Sequence, residues 1–246
     1  MEMMEDVAIV GAGIAVLAIA VALKRVGIRA LVLEKSKGLR STGTALTLTP
    51  NAWLPLMLLV FLTSSSPFIL LHSIPEKFKK SSSYLDVVRH ADLSTLTWAP
   101  LKFRQPWGII FGKLSKGNVT VAGDAMHPMT PDLGQGGGSS LEDAVVLGRH
   151  IGNSFINNGG LIVPGDMAKA IDDYLKERRW RTAFLVTGSY LAGWVQLGGD
   201  KWWMKFLRDG IFYKYLFGRI SGLVHKDCGK LPAMSFGDMD HSSKKD

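Results

Sequence analysis

The chain has 246 residues, of which 47% are apolar and 20% charged. This is ordinary globular composition and excludes a disordered or fibrous protein. Its one cysteine, Cys228, excludes an intrachain disulfide framework and a zinc site built from several cysteines, so we predict no metal. The net charge of +8 is spread along the chain without a basic block or a recognisable RNA-binding motif, so we expect no nucleic-acid partner.

The first 33 residues predict one strand–helix–strand unit. Met1–Asp6 carries three acids and no base, which is untypical of a targeting segment, so we expect a cytoplasmic protein. A β-branched run ending at Val10 predicts a strand, and the Ala/Leu-rich stretch Ile14–Val26 predicts a helix that Gly27 ends. Ala30–Leu33 predicts a second strand. Together they have the size of one βαβ unit.

The turn between the first strand and the helix has the composition of a dinucleotide-binding loop. Gly11 permits a tight turn, and Gly13 lets the backbone approach a pyrophosphate at the positive end of the helix. Glu34 follows Gly13 by 21 residues, at the tip of the second strand, where a carboxylate can bind an adenosine ribose. The third glycine position holds Val16, which we expect to push the helix away from the strand.

A second loop motif lies near the middle of the chain. Residues 118–122 predict a strand that runs into Gly123-Asp124, a proline-containing loop and a run of glycines. A helix follows, and Ser139 with Glu142 predicts a capping box at its start. Glycines allow close backbone approach to a ligand, and a helix N-terminus favours an anion. A turn and helix cap with no ligand is the alternative interpretation.

Both motifs together resemble the single-component FAD-dependent monooxygenases of the aromatic hydroxylase type, with the plant salicylate hydroxylase-like and zeaxanthin epoxidase-like branch as the nearest match. The similarity covers about residues 5–53 and 84–190. The more specific of the two motifs is the stretch from Gly123 to Gly136, which reads GDAMHPMTPDLGQG.

The resemblance implies a set of FAD-binding residues. Three of them, Gly11, Ala12 and Gly13, would lie against the pyrophosphate. Glu34 would contact the adenosine ribose, and Arg40 the pyrophosphate. Gly123 and Asp124 would contact the ribityl chain. The pyrimidine edge of the flavin would be contacted by Leu133, Gly134, Gln135 and Gly136. No catalytic residue is assigned, because the cofactor supplies the chemistry. His127, next to Pro128, is interpreted as a loop residue rather than a general base.

In such enzymes NAD(P)H reduces FAD, and O₂ supplies one oxygen atom to a small organic substrate by hydroxylation or epoxidation. The resemblance therefore implies FAD as cofactor, NAD(P)H as electron donor and a small-molecule substrate as partner.

The middle of the chain departs from the family. Asp124 follows Glu34 by only 90 residues, where the family has a much longer section with a central Asp-Gly motif, and no Asp-Gly occurs in between. Residues 41–75 carry no Asp, Glu, Lys or Arg, and residues 53–71 are mostly apolar. A membrane segment is disfavoured by Pro55, Pro67 and a serine run, and a buried helix or strand pair is a better alternative. We interpret the stretch as a join in a truncated or mis-spliced chain, in preference to a membrane segment.

The predicted fold class is α/β: a Rossmann-like FAD-binding domain with a truncated substrate domain and C-terminal helices. Residues 1–52 form the βαβ unit, residues 53–83 the join, residues 84–190 the rest of the FAD-binding domain, and residues 191–246 the C-terminal helices and a disordered tail. Asp166 is predicted to cap the helix that follows the second motif.

Three functions are consistent with these features. The first is an FAD monooxygenase, in which truncation would explain any loss of activity. The second is a non-catalytic flavin-binding remnant. The third is a membrane-attached interaction protein that uses residues 53–71 or the aromatic, basic stretch 201–216; membrane contact stays open but is not favoured.

Overall fold

The structure is a computed structural model, and it describes residues 5–37, 55, 102–197, 202–206, 210 and 227–232. The chain divides into two compact units: residues 1–62 together with 102–246, and residues 63–101. The second unit lies outside the described residues, as do Arg40 and, apart from Pro55, the proposed join at residues 53–83. The domain boundaries expected from the sequence therefore stay a prediction.

The N-terminal βαβ unit is present as expected. Strand β1 (Val7–Val10) pairs in parallel with strand β2 (Ala30–Leu33). Helix α1 (Ile14–Arg25) connects them and ends one residue earlier than predicted. Gly27 follows with a φ of +85°, which glycine adopts without strain, and this confirms its role in ending the helix. This unit is the Rossmann-like part of the described fold.

The central part of the chain is made of short elements. Helix α2 (Pro106–Ile110) is followed by the antiparallel pair of β3 (Ser115–Lys116) and β4 (Val119–Thr120). The strand predicted over residues 118–122 is therefore only two residues long and pairs within a local hairpin. The backbone nevertheless stays extended at Ala122, with φ −144° and ψ 165°, immediately before the second loop.

Long helices make up most of the rest of the described fold. The second loop contains two 3-10 turns, Gly123–Ala125 and Pro131–Leu133, and leads into α3 (Gly136–Asn157). Helix α4 (Pro164–Leu197) and the short α5 (Trp202–Lys205) follow. None of the described helices is long and apolar enough to cross a membrane.

The prediction that Asp166 caps α4 is wrong. The helix begins two residues earlier at Pro164, whose fixed φ suits the first helical turn. Asp166 lies in that first turn instead, where its Oδ2 accepts a hydrogen bond from Asn158 Nδ2 at 3.0 Å.

The core lies mainly where α1 packs against α3, and small residues bring these helices close together. A Cβ added to Gly148 of α3 would lie 2.7 Å from the Cβ of Ala22, and one added to Gly152 would lie 2.8 Å from Cγ1 of Val26. The contact moves four residues forward along α3, from Gly148 to Gly152, as it moves four residues forward from Ala22 to Val26, so α1 and α3 run parallel to each other. Their N-termini therefore lie at the same end of the core.

The close crossing predicts a large difference between two glycine substitutions. Gly148→Ala is expected to lower the unfolding free energy by about 1–3 kcal/mol, because the helices must move apart. Gly165→Ala in α4 is the control, since a Cβ there would meet no atom within 4 Å. Urea unfolding of both variants measures the difference. Equal stabilities would mean that the helix crossing adapts to the extra methyl group.

Candidate functional site

The first glycine turn is held at the carboxyl end of the β1–β2 sheet. Gly11 has a φ of +105°, which other residues rarely adopt, and its N–H donates to the Leu33 carbonyl at 2.7 Å. Gly13 is the N-cap of α1, and it is exposed, so a Cβ added there would meet no atom within 4 Å. This leaves the backbone beside Gly13 open to close approach by a ligand.

Glu34 lies next to this turn, because it directly follows Leu33. It is exposed, and its Oε1 accepts a hydrogen bond from the Ser36 backbone N–H at 2.8 Å. Val16, which occupies the third glycine position, has its Cγ2 3.8 Å from where a Cβ of Gly11 would lie. A side chain at position 11 would thus meet Val16 at ordinary van der Waals distance, and the expected displacement of the helix by Val16 stays a prediction.

The second loop packs directly on the start of α1. Gly123 has a φ of +58°, and a Cβ added to it would lie 2.6 Å from the Cβ of Ala15 and 3.3 Å from Oγ of Ser140. A glycine is therefore required here both by conformation and by space. The next residue, Asp124, is exposed beside the N-terminus of α1. The fold thus brings together two sequence motifs that are more than 100 residues apart.

The loop then leads into the N-terminus of α3. Gly134 ends the turn Pro131–Leu133 with a φ of +62°, and Gln135 is the N-cap of α3. Gln135 is buried, and its Nε2 donates to the Leu133 carbonyl at 3.1 Å. Leu133 and Gly136 are partly exposed on either side of it. Ala12, between Gly11 and Gly13, is partly exposed, so every predicted site residue within the described ranges is now placed, and the roles assigned to them stay predictions.

The predicted capping box is wrong. Helix α3 begins at Gly136, so Ser139 lies inside its first turn, where its N–H donates to the Gln135 carbonyl at 2.8 Å. Glu142 is fully buried and is bonded to arginines of α4 instead of a backbone N–H at the helix start. Tertiary contacts, and not the two hydrogen bonds of a capping box, therefore account for the Ser-x-x-Glu pattern.

Two helix N-termini that carry no side-chain cap meet at this site. In the described part of the chain, neither N-cap residue, Gly13 of α1 or Gln135 of α3, makes a side-chain capping hydrogen bond, and neither helix has an acidic residue in its first turn. Each N-terminus therefore offers N–H groups without intrahelical partners and the positive end of a helix dipole. Since the helices are parallel and adjacent, these two positive ends repel each other. An anion placed between them would relieve that repulsion, and a diphosphate fits this requirement.

A buried ionic network lies behind the second loop. All of its charged members except Arg181 are fully buried, and Arg181 is nearly so. In α4, Arg178 Nε donates to Asp143 Oδ1 at 2.7 Å, and Arg178 Nη1 donates to Glu142. Glu142 Oε1 also accepts from Arg181 Nη2 at 2.8 Å. Two carboxylates of α3 are thus matched by two guanidinium groups of α4.

The network changes the titration of its members. Burial alone would raise the pKa of Asp143, but His127, Arg178 and the Gly123 N–H outweigh burial and lower that pKa to about 2. Burial alone would lower the pKa of Arg178, yet the adjacent Asp143 and Glu142 carboxylates raise it. Both groups therefore stay ionised at neutral pH.

Comparison with known proteins identifies the second motif. Residues 98–181, which contain the second loop and the buried network, match the model of the FAD binding domain. Monooxygenase 2 of Arabidopsis thaliana is 37% identical over 169 residues, which are 64% of this chain and 39% of that protein. The resemblance to FAD-dependent monooxygenases of the aromatic hydroxylase type is confirmed.

Two further relatives of this FAD-dependent monooxygenase-like chain point the same way. Monooxygenase 1 of Arabidopsis thaliana is 42% identical over 117 residues, covering 46% of this chain and 30% of that protein. The chloroplastic zeaxanthin epoxidase of Prunus armeniaca is 34% identical over 70 residues, covering 28% of this chain and 11% of that protein. The matched regions thus span less than half the length of each relative. No solved structure matches this chain.

Proposed function

We propose that this chain binds FAD at the shared end of α1 and α3 and is an oxidoreductase of the FAD-dependent monooxygenase class. The observation that carries the proposal is the pair of N-termini without side-chain caps beside the exposed carboxylates of Glu34 and Asp124. The pyrophosphate of FAD supplies the anion that these ends need, and its sugar hydroxyls supply donors for the carboxylates. The match to the FAD binding domain supports the same choice of ligand.

Each part of the site then has a defined task. The turn at Gly11–Gly13 holds the pyrophosphate, Glu34 binds the adenosine ribose, and Asp124 binds the ribityl chain. Backbone N–H groups of residues 133–136, which lead into α3, would lie near the pyrimidine edge of the flavin. The positive end of α3 favours a negatively charged ring system there.

When bound, FAD would transfer electrons from NAD(P)H to O₂, with one oxygen atom going to a small organic substrate and the other leaving as water. The residues of this chain bind and orient the cofactor, and no described side chain is assigned as an acid or base. His127 in particular is fully buried and bonded to Asp143, so it does not face a ligand at the loop surface.

A flavin-binding protein without oxygen transfer is the second candidate function. Two facts favour it: the interval from Glu34 to Asp124 is only 90 residues, and the matched region covers 39% of Monooxygenase 2. Both candidates share the FAD site, so the first test addresses that site.

Titration of the protein with FAD is expected to quench flavin fluorescence, and Asp124→Ala is expected to weaken the affinity by about tenfold to a hundredfold. The lost contact is a hydrogen bond to a charged acceptor, which contributes about 1.5–3 kcal/mol. Asp173→Ala is the control, because Asp173 is an acid of α4 whose partner is the exposed Lys176. Tight binding of NADH without binding of FAD would contradict the proposed cofactor.

A further inference from the structure

One carboxylate oxygen of α3 holds both ends of the loop that carries Asp124. Asp143 Oδ2 accepts a hydrogen bond from the Gly123 backbone N–H at 2.8 Å and from His127 Nε2 at 2.6 Å. Gly123 precedes Asp124, and His127 follows it by three residues. The loop is also closed internally, because the N–H groups of Met126 and His127 donate to the Gly123 carbonyl at 2.8 and 2.9 Å. The backbone around Asp124 is therefore fixed to α3 from two sides.

Asp143 is itself fixed by α4. Its other oxygen, Oδ1, accepts from Arg178 Nε at 2.7 Å. Arg178 Nη2 donates to the carbonyl and to Oγ of Ser139, at 3.0 and 2.9 Å, in the first turn of α3. A single arginine thus positions both the carboxylate that holds the loop and the N-terminal turn of α3. These are the two features that the proposed FAD site uses.

The position of His127 indicates what this side chain does. It is fully buried, and among the described residues its Nδ1 has no hydrogen-bond partner. Its close polar contact is made by Nε2, which lies 2.6 Å from Asp143, with Oγ of Ser139 at 3.5 Å. A ring that donates through Nε2 to a fixed carboxylate holds a loop in place.

We propose that His127 is a positioning residue: by bonding to Asp143 it holds the Gly123–His127 loop in the conformation that presents Asp124 to FAD. This inference rests on the proposed function for its ligand. It differs from a general role in stability, because the side chain should determine the order of one five-residue loop and the FAD affinity that depends on it.

The test compares two histidine–carboxylate pairs of the same protein. His127→Leu removes the contact between the loop and Asp143 of α3, whereas His150→Leu removes a contact between α3 and α4, in which His150 Nε2 lies 3.1 Å from Glu177 Oε2. Amide hydrogen exchange of residues 123–127 is measured on each variant without added FAD. FAD affinity is measured by quenching of flavin fluorescence, and the visible absorption spectrum of bound flavin is recorded for each variant.

His127→Leu is expected to speed exchange at residues 123–127 and to weaken FAD affinity about tenfold or more, because a hydrogen bond to a charged group is lost. His150→Leu is expected to leave the exchange of residues 123–127 and the FAD affinity unchanged. His127→Gln should restore part of the affinity, since its Nε2 can reach a similar position and donate to Asp143.

Three outcomes separate this inference from the proposed function. Unchanged exchange and affinity in His127→Leu would overturn the inference, and so would equal losses in His150→Leu. A wild-type protein that binds no FAD would overturn the proposed function, and the exchange of residues 123–127 would then decide whether His127 holds the loop. If His127→Leu does not fold, the comparison of His127→Gln with wild type decides, with normal exchange and affinity counting against the inference.

Discussion

Replacing Arg178 by methionine is expected to lower the free energy of unfolding by about 3–5 kcal/mol, the usual cost of removing one partner from a buried ion pair. The side chain is fully buried and bonds to Asp143 and Glu142, so its loss leaves negative charge in the core with Arg181 as the remaining guanidinium. Lys176→Met is the control, because Lys176 is exposed and pairs with Asp173 on the same helix. That variant should change stability by less than about 1 kcal/mol.

The pH dependence of the unfolding free energy lost in Arg178→Met gives a second measurement. The pKa of Asp143 is lowered to about 2, so its ion pair stabilises the fold above the ordinary carboxyl pKa of 3.8 and loses that effect as the pH falls toward 2. Without Arg178 the buried carboxylates become protonated more easily. The stability difference between wild type and Arg178→Met should therefore narrow as the pH falls through 3.8 toward 2. Urea unfolding across that range measures it, and a deficit independent of pH would indicate lost packing rather than lost charge.

The first half of the site was predictable from the sequence because it is local. Strand, turn, helix and second strand follow one another within about 30 residues; the first strand ends at Val10 as predicted, and the second agrees with the prediction to the residue. The glycine turn, the helix end at Gly27 and the position of Glu34 all depend on neighbours in the sequence. Arg40 lies outside the described residues, so its role stays a prediction.

The buried network was missed because its members are far apart in the sequence. His127 lies 16 residues before Asp143, and Arg178 lies 35 residues after it. Local patterns gave other answers: Glu142 fitted a capping box, and His127 looked like an ordinary loop residue. One signal was present, since Glu142 and Asp143 stand inside the apolar run from Leu141 to Leu147. Two adjacent acids on a buried helix require cationic partners elsewhere in the fold.

The parallel arrangement of α1 and α3 was also not predicted. It depends on close contacts of Gly148 and Gly152 with α1, and on the fit of Gly123 against Ala15. Glycines four residues apart on one helix indicate a close crossing but not the direction of the partner helix. That direction decides the electrostatics of the site, because an antiparallel pair would have placed the two N-termini at opposite ends.

The activity of the chain is expected to be almost entirely uncoupled. In the presence of FAD, consumption of NAD(P)H and O₂ should form hydrogen peroxide nearly one for one, with little hydroxylated product. Oxygen transfer needs a site that excludes water and holds the substrate close to the flavin. Here Gly13, Glu34 and Asp124 are exposed, and the 90 residues from Glu34 to Asp124 replace a much longer section of the resembled family.

The measurement quantifies NAD(P)H, peroxide and organic product in the same reaction over a panel of phenolic and terpenoid acids. Asp124→Ala at the same FAD concentration serves as the control, because its weaker FAD binding should slow NAD(P)H consumption toward the rate of free FAD if the reaction occurs on the protein. Stoichiometric product with little peroxide would contradict the expectation. Such a result would require a working substrate pocket in addition to the βαβ unit and the second loop, to which the proposed function assigns only the cofactor.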